Sequence, residues 1–222
     1  MMKRVVSDKS SSPLNRATNA MPDTAAVVTG SFNWIERAAK YNYENIVYIW
    51  SRKIADAYWQ EFERVKGRIC GNAGLISDGE ITAAFNKDII TLLTQRIDAA
   101  KTSILVAVWS VSVASKKYPN PVYEALMATQ ARGVNVRIIT DARKAKKRNY
   151  GAVNVIKAHM PSSKAHVHHK FMFIDQQYVV TRSYNFVTKS FSGNDENMVA
   201  IKSIAMASSF TDHWKAMAKA VQ

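Results

Sequence analysis

Acidic side chains are scarce in this sequence. Seventeen Asp and Glu stand against 31 Lys and Arg, for a formal net charge of +14. Such a surface repels cationic partners and attracts polyanions, with nucleic acid and anionic membrane as the two usual candidates. Charge by itself does not choose between them. Cysteine is almost missing too. Cys70 alone closes no intramolecular disulfide, and no CxxC or Cys/His spacing suggests a structural zinc. Long apolar runs are also absent: no stretch approaches the roughly 20 residues of a membrane span. The basic start, Met1 to Lys9, has no apolar run after it and does not read as a secretory signal, so a cytoplasmic location is expected. Glycine is sparse, and four of its eight copies crowd into Gly67–Gly79, which marks a linker. What is present is enough to fold. Hydrophobic residues make up 47% of 222, room for one α/β domain and an appendage.

The chain repeats itself. Val27–Ile49 (VVTGSFNWIERAAKYNYENIVYI) and Val179–Ile201 (VVTRSYNFVTKSFSGNDENMVAI) align without a gap, with ten identities in 23 positions. Average composition would give about one or two. Ser31 matches Ser183, Asn33 matches Asn185, Glu44 matches Glu196 and Asn45 matches Asn197. Aromatic, helix-like stretches follow both copies. Upstream the copies part: at the positions of His168, Lys170 and Asp175 the first copy has Arg16, Thr18 and Asp23. The expected organisation is a loop or disordered segment over 1–22, a partial repeat over 23–66, a linker over 67–79 and a complete domain over 80–222.

Within that domain, apolar spacing predicts a helix over Ile81–Ala100 and a buried strand over Ile104–Val113. A helix over Tyr123–Arg132, a strand over Val134–Thr140 and a helix over Tyr150–His159 follow. Strands Phe171–Ile174 and Tyr178–Thr181 flank a turn at Asp175, and strand Glu196–Ile201 leads into a last helix, Ala205–Ala220. Alternating strands and helices indicate an α/β sandwich, with a mixed β-sheet between helical layers.

The chemistry concentrates in one segment. His168 and Lys170, two apart on a strand, share a face. An imidazole can attack phosphorus while the ammonium neutralises a non-bridging oxygen, and Ser183 and Asn185 repeat the spacing as further donors. His166, His168 and His169 do not read as a metal cluster, because alternation splits them between faces beside a repelling lysine. Arg143 and Lys144 open a basic run, Arg143–Arg148, weighed equally as a solvated loop and as a rim that tracks phosphates.

His168-x-Lys170-x4-Asp175, followed by Ser183-x-Asn185 and by Glu196-Asn197, resembles the phospholipase D superfamily, and most closely its small bacterial endonucleases with one motif per chain. The resemblance implies a phospholipase D-like α/β sandwich, here preceded by a partial duplicate of its C-terminal half. It also implies a metal-independent phosphodiesterase that needs no cofactor and works through a phosphohistidine. In it, Glu196 orients His168 and Asp175 braces the motif. The superfamily glycine before Ser183 is Arg182 here, either an added phosphate contact or an obstacle to activity. Two motifs surround one phosphate in this superfamily, so a two-fold homodimer is expected to pair two copies of the site. The alternative is that the partial repeat takes the partner's place, leaving a monomer with half a site and little activity. The leading functional reading is a weakly sequence-selective nuclease, on DNA or RNA. Behind it come a phospholipase or phosphatidyl transferase, and then a non-catalytic nucleic-acid-binding protein.

Overall fold

The computed structural model describes residues 25–67, 74–145, 149–160, 162–187 and 193–220. The N-terminal 1–22 segment, and with it Arg16 and Thr18, lies outside these residues, as do Lys146–Arg148.

An eight-stranded mixed sheet forms the body. Its strands are β3 (Ile76–Asp78), β4 (Ile81–Phe85), β5 (Ser103–Val108), β6 (Asn135–Asp141), β7 (Asn154–Ala158), β8 (Lys170–Ile174), β9 (Tyr178–Arg182) and β10 (Asn197–Lys202). Their spatial order is β3-β4-β10-β9-β8-β5-β6-β7, with β5, β6 and β7 parallel and the other pairings antiparallel. Helices α3 (Asp88–Asp98) and α4 (Pro121–Ala131) cover one face through Leu92, Leu93 and Leu126, which pack on Val106, Met172 and Val180. Helix α5 (Ile204–Ala220) covers the other through Trp214, against Phe171 and Phe173. The Trp214 indole also donates to the Val106 carbonyl at 2.8 Å, so a bulky core residue leaves no polar atom stranded. The architecture is the α/β sandwich expected from the alternation of elements.

The first repeat builds a separate two-stranded sheet, β1 (Ala26–Gly30) with β2 (Ile46–Trp50), joined through α1 (Glu36–Tyr41) and followed by α2 (Arg52–Gly67). It copies β9, β10 and α5 closely. Gly30 pairs with Ile46 as Arg182 pairs with Met198, and α2 and α5 begin at equivalent positions. The copies meet through reciprocal buried bonds. Asn45 Nδ2 donates to Thr181 Oγ1 at 2.6 Å, and Thr29 Oγ1 donates to Asn197 Oδ1 at 2.7 Å. Thr29 and Thr181 are equivalent in the repeat, as are Asn45 and Asn197. The contact therefore has the self-complementary form of a two-fold interface, contained in one chain. A shared core of Ile49, Ile54, Tyr58, Phe85 and Val199 seals it.

Of the predicted helices, Ile81–Ala100 begins as a strand before α3 and Tyr150–His159 holds a strand instead of a helix. Ile81–Phe85 pairs with β10, and the break comes at Asn86, whose φ of +51° no helix accommodates. Its side chain and backbone bond both ends of Glu196's peptide unit. Asn154–Ala158 adds to the sheet edge beside β6, after a turn at Gly151. The Gly67–Gly79 linker contributes β3. Among the described residues no helix is long and apolar enough to cross a membrane.

Candidate active site

The site lies at the carboxyl ends of β5 and β6, the end at which open α/β sheets commonly take ligands. Strand alternation sets Phe171 and Phe173 into the α5 core and turns Lys170, Met172 and Ile174 to the α3–α4 side. The residues just before β8 are held by the first repeat. Tyr43 N donates to His166 O at 2.9 Å, and His168 N donates to Tyr43 O at 3.0 Å. That clamp brings the next residue, Glu44, to the imidazole. His168 Nδ1 lies 2.8 and 3.0 Å from the two Glu44 carboxylate oxygens. Glu44 is fixed in turn by Ser31 Oγ at 2.6 Å and Asn42 Nδ2 at 3.2 Å.

The carboxylate on His168 is thus Glu44 and not Glu196, which corrects the expectation from sequence. Glu196 occupies the equivalent place in the second repeat, bonded by Ser183 Oγ and by Asn194 Nδ2 at 3.2 Å. Among the described residues it holds no imidazole. The partial repeat thus supplies, from within the chain, the carboxylate that His168 takes. The signal is present in the sequence, where Glu44 matches Glu196.

Lys170 is 3% exposed. Its Nζ sits 3.1 Å from His168 Nε2 and 3.2 Å from Nδ1. Burial pushes its ammonium down to about 8; Glu44 and Glu196 oppose the shift, and Arg182 reinforces it. His169 faces away from this group, toward His213 at 3.2 Å, and burial pushes it down to about 3. His166 faces Asp141 and Arg143, with Arg37 of the first repeat 2.8 Å from its Nε2. The three neighbouring histidines therefore have three separate environments.

Other predicted site residues divide. Ser183 is engaged by Glu196, and it accepts from Asn197 N at 3.0 Å. Asn185 is half-buried, and its Oδ1 has no partner among the described residues. Lys144 holds its Nζ 4.2 Å over the Trp109 ring, which lies 5.4 Å from the His168 ring. Two placements differ from expectation. Arg182, expected at the substrate, is completely buried, with Nε bonded to Tyr184 O at 3.0 Å and its guanidinium 3.5 Å over Phe186. It does not share the backbone that demands glycine at Gly30, where φ is +149° and a Cβ would meet Asn45 O at 2.1 Å. Arg143 is tied to Asp141 at 2.7 Å and to the Ser163 carbonyl at 2.8 Å, so it braces the loop before β8 and does not reach out.

Asp175 sits at the far end of β8, roughly 16 Å from Lys170 at strand rise. With Gln176 it forms the left-handed tip of the β8–β9 hairpin. Burial alone would raise its carboxyl. The N–H groups of Ser103, Thr102 and Lys101 and the Thr102 hydroxyl outweigh that and hold it below its ordinary value. Asp175→Ala is expected to cost about 1–2 kcal/mol of stability by urea melts, because it removes charge-assisted bonds that hold the turn, although water can take up the freed donors. The folded fraction should turn over substrate as wild type does, and a catalytic role for Asp175 would show the reverse pattern.

Trp109, Arg37 and Asn120 were not foreseen. Asn120 is fully buried and ties Ser112 O and Phe186 O together while capping α4 at Tyr123 N. Asn120 before Pro121 marks a helix start in the sequence, but not the tie between Ser112 and Phe186.

Two halves of one constellation, Ser-x-Asn and Glu-Asn in each repeat around a His-x-Lys strand, fit one known family. The family model "Cardiolipin synthase, PLD-like domain" matches residues 5–66 and 93–218, most of the chain. The chain belongs to the phospholipase D-like family. Members of that superfamily are phosphodiester hydrolases and transferases. This phospholipase D-like chain is 26% identical over 149 residues to a phospholipase D of Rickettsia bellii, an alignment covering 64% of the chain and 71% of the relative. Among solved structures it resembles Nuc, a phospholipase D family member from Salmonella typhimurium. That match has 26% identity and a TM-score of 0.53, and covers 62% of this chain and 94% of Nuc. A phosphatidylserine synthase of Haemophilus influenzae is 10% identical with a TM-score of 0.62, and covers 85% of this chain and 58% of the synthase. The last likeness shows the fold alone.

Proposed function

We propose that the chain is a nuclease of this family, cleaving DNA or RNA strands without a metal through a phosphohistidine on His168. The observation that carries it is the His168 side chain fixed at Nδ1 by Glu44, with the Lys170 ammonium beside Nε2. A carboxylate on Nδ1 sets the tautomer that leaves the Nε2 lone pair for attack. Lys170 supplies the positive charge that the phosphoryl oxygens require. Ser31, Ser183, Asn42 and Asn194 fix the two carboxylates rather than the substrate.

Nucleic acid is favoured as substrate by the rim. Besides Lys144 over Trp109, Lys117 lies 5.4 Å from the Tyr118 ring and Lys164 lies 5.8 Å from the Tyr41 ring. None of the three lysines has a carboxylate partner among the described residues. Cations spaced between aromatic faces suit a polyphosphate backbone with bases. Fluorescence anisotropy with a labelled oligonucleotide should show log affinity falling steeply with log salt. Lys117→Ala, Lys144→Ala and Lys164→Ala should each flatten the slope by about one. A flat salt response in the wild type would count against nucleic acid.

A lipid substrate is the second reading, and one observation favours it. The outer face of β2 exposes Ile46, Tyr48 and Trp50 at 38%, 66% and 66%, a surface able to lie on a bilayer. Hydrolysis of phospholipid vesicles with oligonucleotides left intact would select it.

A further inference from the structure

The nucleophile is recessed. The His168 side chain is 12% exposed, the Glu44 side chain that orients it 6%, and Lys170 3%. A phosphate therefore meets His168 Nε2 only by passing between the residues that surround it. The first repeat forms part of that wall, since Tyr43 N donates to His166 O and His168 N donates to Tyr43 O. Trp109 forms another part, its ring centroid 5.4 Å from that of His168 and 6.1 Å from that of His166.

A duplex fits such a recess poorly. Its phosphates ride on a stiff rod that holds its direction over many base pairs, so one phosphate does not advance without its neighbours. A single strand bends at each nucleotide and can lower one phosphate while its bases turn outward, with no pairing to break.

The rim provides for those bases. Lys117 and Tyr118 belong to the β5–α4 connection, and Lys144 follows β6 and sits over Trp109 at the end of β5. Lys164 lies in the β7–β8 connection, beside Tyr41 of the first repeat. Strands β5, β6 and β7 run parallel and β8 runs against β5. All three connections therefore emerge at the end of the sheet where Val108 pairs with Lys170, next to the nucleophile. Tyr118 and Tyr41 are 55% and 42% exposed. A lysine can hold a phosphate while the ring beside it takes the adjoining base. A paired base cannot use that ring, because its faces are already covered by stacked neighbours. Lysines alone would serve a duplex equally well, so the aromatic surfaces are what discriminate.

Resting on the nuclease reading above and narrowing it, we infer that the substrate is single-stranded nucleic acid, bent into the recess at the reacting phosphate with neighbouring bases stacked on Tyr118 and Tyr41. These two tyrosines set specificity and do not touch the reacting atoms. Duplex DNA is then a substrate only where its pairing fails. Negatively supercoiled plasmid, which relieves torsion by local unpairing, is open to nicking, and the same plasmid linearised is a poor substrate.

The test presents one labelled sequence as a DNA strand, as the matching RNA strand, and as each annealed to its complement, with EDTA present. Single strands should be cleaved with kcat/KM about 10²-fold above that of their duplexes, and a duplex with an internal unpaired loop should be cut within the loop. The faster of the two single strands identifies the sugar that the site prefers. Tyr118→Ala and Tyr41→Ala should each weaken single-strand binding roughly tenfold and leave duplex binding unchanged, while Tyr118→Phe and Tyr41→Phe should keep it. Lys117→Ala, by contrast, should weaken both forms alike. Equal cleavage of single strand and duplex, or tyrosine variants that weaken both forms alike, would overturn the inference and leave the nuclease reading standing. If the wild type cleaved neither form, the nuclease reading itself would fall, and this one with it.

Discussion

Replacing Glu44 by glutamine is expected to lower turnover by roughly 10³–10⁴-fold while the chain stays folded. The substitution keeps the shape of the side chain but only one of the two acceptor oxygens that Ser31, Asn42 and Nδ1–H share. It also removes the negative charge that favours the proton on Nδ1. An amide NH₂ turned to that nitrogen would hold the opposite tautomer, with the proton on Nε2 and no lone pair left for phosphorus. The measurement is kcat on an oligonucleotide, with a thermal melt to show that folding is unchanged. Glu196→Gln is the comparison, and its loss should be clearly smaller because that carboxylate holds no imidazole among the described residues. The reverse order of effects would return the orienting role to Glu196 and leave Glu44 as a structural contact between repeats.

His168→Ala should have the larger effect, with cleavage falling on the order of 10⁴-fold or more, since among the described residues no neighbouring group is placed to replace the nucleophile. His169, adjacent in sequence, lies in the α5 core with its ring against Phe171, centroids 4.8 Å apart. The readout is plasmid nicking with EDTA present. Wild type should nick and the variant should not, while oligonucleotide binding persists because Lys117, Lys144 and Lys164 are untouched. Nicking by both proteins would refute the histidine mechanism. Loss of binding together with nicking would point to collapse of the pocket, since the His168 side chain also ties Glu44 of the first repeat to the site.

Much of the fold is legible in the sequence, and the gaps have physical causes. Strands β8 and β9 and helices α4 and α5 follow directly from spacing and turn residues. Ile81–Phe85 was read as helix because Phe85, Ile89, Leu92 and Leu93 do share a helical face. Only Asn86 in a left-handed turn, and pairing with β10 more than a hundred residues away, make the first five residues a strand. β7 is similar: an edge strand whose conformation is set by β6 and not by local preference. In the site, His168 and Lys170 were found from their spacing. The carboxylate on His168 is less legible: Glu44 and Glu196 match in the repeat, and only the fold shows which of them reaches the ring. Arg182 was placed at the substrate on the strength of its charge. Its burial follows from strand alternation beside Val180, which turns the side chain under α3 and α4.

The reciprocal Asn45–Thr181 and Asn197–Thr29 bonds have a consequence for how activity scales. In an enzyme that completes its site by pairing two chains, dilution below the dissociation constant separates nucleophile from orienting base, and specific activity falls with concentration. Here Glu44 and His168 belong to one polypeptide. The tether holds them at an effective concentration near the millimolar range typical of short linkers. Orientation of His168 is thus first-order in protein, as available at nanomolar as at micromolar levels. A single backbone cut between the repeats would abolish that independence without removing any residue of the site.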